Sequence, residues 1–394
     1  MKLLFVADGR SPIALNWMRY FSAEGHEVHL ASTYACADVP GLASLEVVPV
    51  ALSEVNAAGA RGRGRLGGLL RALVPLSLRT AIRQSLGPLT LRRAGEQLAE
   101  IIQRLQPDLV HAMRIPYEGM AAALAMEALP GRKPPLLIST WGNDFTLHAP
   151  STRQMRQATR RAMYAADALH ADCQRDVRLA QEWGFDAQKP VVVLPGGGGI
   201  RLGTFYPDEA GTSAPVVINP RGMRAYVRND TFFQAAARVL QAQPEVRFLC
   251  PNMAGETEAL RWVSELKLGQ AVSLLPRQTQ AQMAALYRQS QVALSITMHD
   301  GTPNTLLEAL ACGCFPIAGD IESLREWITP GVSGLLVDPG SPQELADAIL
   351  QALAQPELRQ AARQHNLLLV RQRAEYGAVM AQAEVFYRRC LKES

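Results

Sequence analysis

The sequence predicts an α/β protein made of two parallel, doubly wound sheets. Short apolar runs of strand length alternate with amphipathic stretches of helical length. That alternation breaks once, in a Gly/Pro-rich stretch at 195–215, and then resumes. No apolar run nears the roughly 20 residues needed to cross a bilayer. The chain has 394 residues, 48% of them hydrophobic, enough for two or three buried cores and too apolar for a disordered chain. Lys2 leads into a five-residue apolar run and then Asp8, too short for a signal-peptide core, so a cytoplasmic protein is expected. The six cysteines form no C-x-x-C and no Cys/His ligand set, which suits reduced core thiols. A formal charge of +4 is mild for this length and does not call for nucleic acid.

In the first half, strands are expected at 3–7, 28–31, 46–50, 109–112, 136–140, 168–171 and 191–194. Helices are expected between most of them, at 13–23, 94–105, 119–129, 155–165 and 175–183. Ser11-Pro12 is a good helix opening, because the hydroxyl can accept from a free N–H and proline is tolerated in the first turn. Gly196-Gly197-Gly198-Gly199 suits neither helix nor strand and marks a linker.

The second half repeats the build. Strands are expected at 216–219, 246–250, 272–275, 292–296, 315–318 and 335–337, and helices at 230–241, 256–266, 280–289, 305–312, 321–328 and 342–354. Thr279…Gln282 and Ser341…Glu344 read as capping boxes. A last helix at about 373–391 places Tyr376, Val379, Met380, Ala383 and Tyr387 on one stripe, as a packing helix would. The expected organisation is an N-terminal domain over 1–200, a second over 201–370, and a helix over 371–394 that packs back on the first. A cleft between two such domains is the default ligand site.

One segment carries most of the chemistry. His299-Asp300-Gly301-Thr302-Pro303-Asn304-Thr305-Leu306-Leu307-Glu308 follows a strand, turns, and enters a helix. Amides opening that helix near Asn304, Thr305 and Leu306 would favour an anion, by about 0.3–1 kcal/mol from the helix dipole alone. Gly301 and Thr302 line the approach. Asp300 and Glu308, eight apart, could take sugar and ribose hydroxyls on either side of it; alternatively Asp300 is a turn residue and Glu308 a solvated one. The apolar residues around Glu308 argue against the latter.

The segment resembles the E-x7-E region of retaining GT-B glycosyltransferases, family 4 (glycosyltransferase group 1). The later stretches Ala311-Cys-Gly-Cys-Phe-Pro-Ile-Ala-Gly-Asp320 and Gly331-Val-Ser-Gly-Leu-Leu-Val-Asp338 match the same family. The likeness is strong over most of the second half and is one of layout in the first. It implies two Rossmann-like domains and a nucleotide-sugar donor bound by the second. It also implies retention of anomeric configuration, no metal and no cofactor beyond the donor. The acceptor would be a carbohydrate, a lipid-linked sugar or a small molecule, as in cell-envelope polysaccharide or glycolipid synthesis. The family's Arg for the donor diphosphate falls on Arg221. Tyr226 stands where its Lys would be, with Arg224 and Arg228 on either side, and Arg228 is the candidate second cation. Asp300 replaces the family's first Glu and reaches about one methylene less.

On the acceptor side, Gly9 and Arg10 follow the first strand. Trp141 and Asn143 stand where many family members carry a His, and either could take over the sugar contact. His111 ends a strand and is a further candidate, though a lone histidine there is more often structural. Between 60 and 95 lie eight arginines and no acid, interleaved with leucines. That stretch suits either an anionic membrane surface, with peripheral attachment at its inner face, or a long acceptor loop with snorkelling arginines. Its G-x-G-x-x-G at 62–67 follows no strand and is rejected as a dinucleotide fingerprint. His26-Glu-Val-His29 lacks a third ligand, and no D-x-D occurs. An epimerase, a phosphorylase or a non-catalytic nucleotide-sugar binder on the same fold are the competing expectations.

Overall fold

The computed structural model describes residues 1–50, 87–208 and 214–392. The arginine-rich stretch through 83 and its G-x-G-x-x-G lie outside the described residues, while Arg92 and Arg93 open a helix within them. The chain divides into two compact units, one of 1–198 plus 379–394, the other of 199–378.

The first unit runs β1 (Lys2–Ala7), α1 (Pro12–Ala23), β2 (Glu27–Ser32), β3 (Ser44–Val47), α2 (Leu91–Leu105), β4 (Leu109–Ala112), α3 (Met120–Ala128), β5 (Leu136–Ser139), α4 (Arg153–Ala165), β6 (Ala168–Ala171), α5 (Gln174–Glu182) and β7 (Val191–Val193). Its strands form one parallel sheet in the order β3-β2-β1-β4-β5-β6-β7. The near-continuous apolar runs expected of strands covered on both faces are what the sheet buries: Leu3 through Ala7 are all inaccessible. Ser11 caps α1 by accepting from the Ala14 amide, with Pro12 in the first turn. The strand expected at 46–50 pairs over Ser44–Val47 instead, and Val48 and Val50 turn into the core.

The second unit runs β8 (Val216–Ile218), α6 (Asn229–Ala242), β9 (Arg247–Cys250), α7 (Thr257–Glu265), β10 (Val272–Leu274), α8 (Gln280–Arg288), β11 (Val292–Ser295), α9 (Asn304–Ala311), β12 (Phe315–Gly319), β13 (Leu335–Val337), α10 (Pro342–Ala354) and α11 (Pro356–Arg373). Its parallel sheet has the order β10-β9-β8-β11-β12-β13. The capping box at Thr279 and Gln282 is reciprocal. At Ser341 only half of one forms, because Glu344 accepts from the Asp338 amide instead. Two expectations are corrected. Residues 321–328 hold only a short turn at Leu324–Glu326, since Ser323 and Trp327 spend their polar groups on the loop after β11. α11 was not expected at all. It buries only Ala362, Asn366 and Val370, four apart, and its run of leucines, with Leu368 58% exposed, blurs the period.

α12 (Tyr376–Cys390) follows, and from Val379 onward it belongs to the first unit. Val379, Met380, Ala383 and Tyr387 are buried there. Tyr387 enters a hydrogen-bond chain whose direction can be deduced. The Leu194 carbonyl can only accept, so His170 Nε2 donates to it at 3.0 Å. His170 is neutral, its pKa lowered to about 4 by burial, so Nδ1 accepts from Ser139 at 2.7 Å. Ser139 then accepts from His111 Nε2 at 2.7 Å, and His111 Nδ1 accepts from the Tyr387 hydroxyl. Three strands and the last helix are joined in a single sense, with every proton placed.

Candidate functional site

In a parallel sheet, ligands gather beyond the carboxyl ends of the strands where the strand order reverses. In the second unit that point lies between β8 and β11. Arg221 follows β8 and Asp300 follows β11, and the two meet: Arg221 Nη2 is 2.5 Å from Asp300 Oδ2, with side chains 8% and 15% exposed. Arg221 Nη1 lies 3.5 Å from Thr305 Oγ1, so the guanidinium stands at the opening of α9. Its Nε is buried with no acceptor among the described residues. Burial opposes the charge on Arg221, but Asp300, then Tyr226 and Tyr287, hold its pKa above the ordinary value.

The mouth of α9 has no side-chain cap. Leu306 is buried and its amide donates back to Pro303 O at 3.0 Å, so of the amides expected there it is not open. Those of Asn304 and Thr305 find no protein acceptor among the described residues. Asn304 Oδ1 is likewise buried without a donor. Thr302 is buried with its hydroxyl taken by Trp327 Nε1 at 2.9 Å, so its side chain supports the loop and does not line the site. Ser323 Oγ donates to Asp300 O at 2.6 Å and fixes the loop from the same side.

Glu308 is half-buried one turn into α9. The Tyr287 hydroxyl from α8 reaches Glu308 Oε2 at 3.3 Å and Thr305 O at 3.1 Å. Burial pushes the Glu308 carboxyl up to about 7, with the Tyr287 hydrogen bond opposing. Cys312 and Cys314 pack behind the helix; burial raises both thiols, Cys312 to about 12, which leaves them inert.

Arg228 is placed apart from this group. Its Nε and Nη2 bind Asp230 at 2.9 and 2.7 Å, and Nη1 sits 3.6 Å from Met298 Sδ. Arg224 has no carboxylate on it among the described residues: it donates to Arg221 O at 3.2 Å and to the Tyr226 hydroxyl at 3.4 Å. The Arg221 guanidinium carbon lies 5.8 Å from the centre of the Tyr226 ring.

The reversal point of the first sheet lies between β1 and β4. Gly9, after β1, donates to Ser32 Oγ at 3.0 Å, and a Cβ there would stand 2.5 Å from Cys36 Sγ. Only glycine fits that approach. Arg10 is forked onto Asp8 at 2.9 Å and lies 3.7 Å over the Tyr34 ring. His111 is fully buried, and its two ring nitrogens are occupied by Tyr387 and Ser139. That overturns its reading as a sugar-facing group: burial holds its pKa well below the ordinary value, with His170 adding to the effect.

The loop bearing Trp141 and Asn143 is clamped. Buried Asp144 accepts from the Trp141 amide at 3.1 Å, the Ile115 amide at 3.0 Å and Arg114 at 2.6 Å. Arg175 donates to Gly142 O at 2.7 Å. Asn143 Oδ1 accepts from Arg114 at 3.3 Å, and Trp141 Nε1 is buried without an acceptor among the described residues.

Two family models cover most of the chain: residues 9–197 match a glycosyl transferase 4-like domain and residues 210–366 match glycosyl transferases group 1. A D-inositol 3-phosphate glycosyltransferase of Segniliparus rotundus is 31% identical over 208 residues, 49% of this chain and 45% of that protein. One of Geodermatophilus obscurus is 30% identical over 222 residues, 51% of this chain and 48% of its own. The chain thus spans about half the length of the curated relatives it matches. Among solved structures, sucrose-phosphate synthase from Thermosynechococcus elongatus superposes with a TM-score of 0.76 at 15% identity, over 100% of both chains. Anabaena HepE in complex with UDP-glucose superposes with a TM-score of 0.71 at 17% identity, over 98% of this chain and 100% of the other. The fold is GT-B, and each unit matches a glycosyltransferase family model.

Four side chains of the site are given no role by the sequence alone. The Tyr226 ring lies beside the Arg221 guanidinium, the Tyr287 hydroxyl donates to Glu308, and Ser323 and Trp327 brace the loop of Asp300. Tyr226 had a signal, since it occupies the place of an expected lysine. The others reach the site from elements distant in sequence, and no spacing rule points to them.

Proposed function

We propose that the protein transfers a sugar from a nucleotide-sugar donor to an acceptor, with retention of anomeric configuration and without a metal. The observation that carries this reading is the buried Arg221, set between Asp300 and Thr305 at the uncapped opening of α9, with Glu308 on the same helix. A departing nucleoside diphosphate gains negative charge as the glycosidic bond breaks, and fixed guanidinium and amide donors stabilise that charge without reorganisation. Arg221 Nε and the amides of Asn304 and Thr305 would bind the diphosphate. Arg224, which carries no acid, suits the second cation better than Arg228, which Asp230 already engages. Glu308 would hold ribose hydroxyls, and Asp300 would orient Arg221 while its outer face meets the sugar. Gly301 would let the donor approach the backbone closely.

The resemblance to family 4 supports retention. With no carboxylate placed as a nucleophile among the described residues, the reading adopted is a front-face displacement, in which the leaving phosphate takes the acceptor proton. The likeness to proteins described with UDP and UDP-glucose supports a nucleotide-sugar donor. Relatives named for inositol 3-phosphate support a small polar acceptor met by the first unit, where Gly9, Arg10, Trp141 and Asn143 follow the strands. A thermal-shift screen over nucleoside diphosphates and nucleotide-sugars tests the reading. A donor at 100 times its Kd should add about 2.7 kcal/mol of stability. Donor hydrolysis should appear in the wild type and fall in Glu308→Gln. No shift with any nucleotide would overturn the proposal.

A further inference from the structure

Far from the carboxyl ends of the strands, the first unit carries a groove of about 960 Å³ at the opposite, amino-terminal ends of β5, β6 and β7. Pro134 and Pro135, just before β5, and Pro190, just before β7, give it an apolar floor. Lys133, Arg160, Arg161 and Lys189 ring it with positive charge. Two acids also line it, and each is engaged: Glu127 lies 3.3 Å from Arg161, and Asp167 lies 3.9 Å from Lys189 while accepting from the Leu136 amide at 2.9 Å. Lys133 and Arg160 have no carboxylate partner among the described residues, and Arg160 rests 5.9 Å from the Trp183 ring. Tyr164, on the same rim, is 69% exposed.

A second hollow of about 440 Å³ is lined by residues next in sequence to those of the first: Pro190 leads into Val191, and Arg389 into Cys390. It is lined mainly by apolar groups of β7 and α12, including Val191, Val192, Phe386 and Val385, the last 69% exposed. Uncompensated cations beside exposed aliphatic and tyrosine side chains match a phosphate headgroup lying over acyl chains.

We propose that this face docks the first unit on an anionic lipid surface, with lipid phosphate in the Lys133–Arg160 groove and the Val385 shelf against the chains. Lipid held at the amino ends of the strands leaves the loops after β1, β4 and β5 uncovered. The inference does not depend on the donor chemistry of the second unit, nor on the arginines at 61–83.

Co-sedimentation of the full chain tests it, with vesicles of phosphatidylcholine alone and of phosphatidylcholine containing phosphatidylglycerol. Binding is expected to the anionic vesicles only, and to weaken with salt. Lys133→Glu with Arg160→Glu should lower partitioning at least about fivefold for each cation removed. Both side chains are exposed, so the unfolding midpoint should not move. Val385→Asp should weaken binding further, and free glycerol phosphate should not displace the protein. Undiminished binding by the Lys133/Arg160 variant would overturn the proposal, including the case in which replacing Arg61, Arg63 and Arg65 abolishes it. So would displacement by free phosphate, or a dimer in solution that Val385→Asp dissociates.

Discussion

The two sheets have the same build and reverse strand order at corresponding places, yet their polar residues are used differently. In the second unit the reversal point holds a buried cation with an unfilled donor, an uncapped helix and a carboxyl pushed up to about 7. In the first, the polar groups nearest the core are spent on one another: Tyr387, His111, Ser139 and His170 run in a closed line to the Leu194 carbonyl. A polar residue at a strand end is therefore no guide to function by itself. What separates Arg221 from His111 is whether a donor or acceptor is left over once internal partners are counted.

The sharpest way to break this contrast is Arg221→Ala. It should cut turnover about 10²–10³-fold, as loss of a preorganised donor to a developing anion does. UDP binding by calorimetry should weaken in parallel. Replacing Asp300 by Asn as well should restore stability but not turnover, because the single change strands a buried carboxylate. If Arg221→Ala turned over normally, the second unit would be no more functional at this point than the first.

Tyr387→Phe should lower stability to denaturant by about 1–3 kcal/mol, because His111 Nδ1 is left buried with no donor. UDP binding should not change. The same line predicts acid sensitivity. His170 and His111 have folded pKa values below the ordinary 6.5, at about 4 for His170, so the unfolded chain binds more protons in that window. Their contribution is full above about 6.5 and is lost as pH falls toward 4, which melting temperatures across that range would register.

Glu308 gives donor binding a pH dependence of the same sense. If its carboxylate accepts from ribose hydroxyls, donor affinity should rise as pH climbs through about 7, and Glu308→Gln should flatten that profile. The smallest effect is expected from Arg228→Ala, whose partner is Asp230. Arg224→Ala should cost donor affinity more, and the reverse order would reinstate Arg228 as the second cation.

Much of the fold was legible because buried parallel strands are continuous apolar runs and because Ser11 and Thr279 signal helix starts. α11 was not legible, since only three of its side chains are buried, nor was the collapse of 321–328 into a turn, which depends on where Ser323 and Trp327 find partners. In the site, Arg221, Asp300 and Glu308 could be read from their motif. Whether Arg224 or Arg228 stood open could not, because the answer lies in Asp230 being two residues from one and not from the other. His111 misled for the same reason: its partner Tyr387 is 276 residues away.

The residues from Val379 through Cys390, which belong to the first unit, are synthesised only after the whole of the second. At about 5–20 residues per second, the segment before Gly198 waits roughly ten to forty seconds for them. The second unit is complete at 378, before those residues are made, while the faces of Phe5, Trp17 and Phe21 that meet Tyr387 stand open to water or to a chaperone. A premature stop after 378 would therefore release a complete second unit beside an unfinished neighbour.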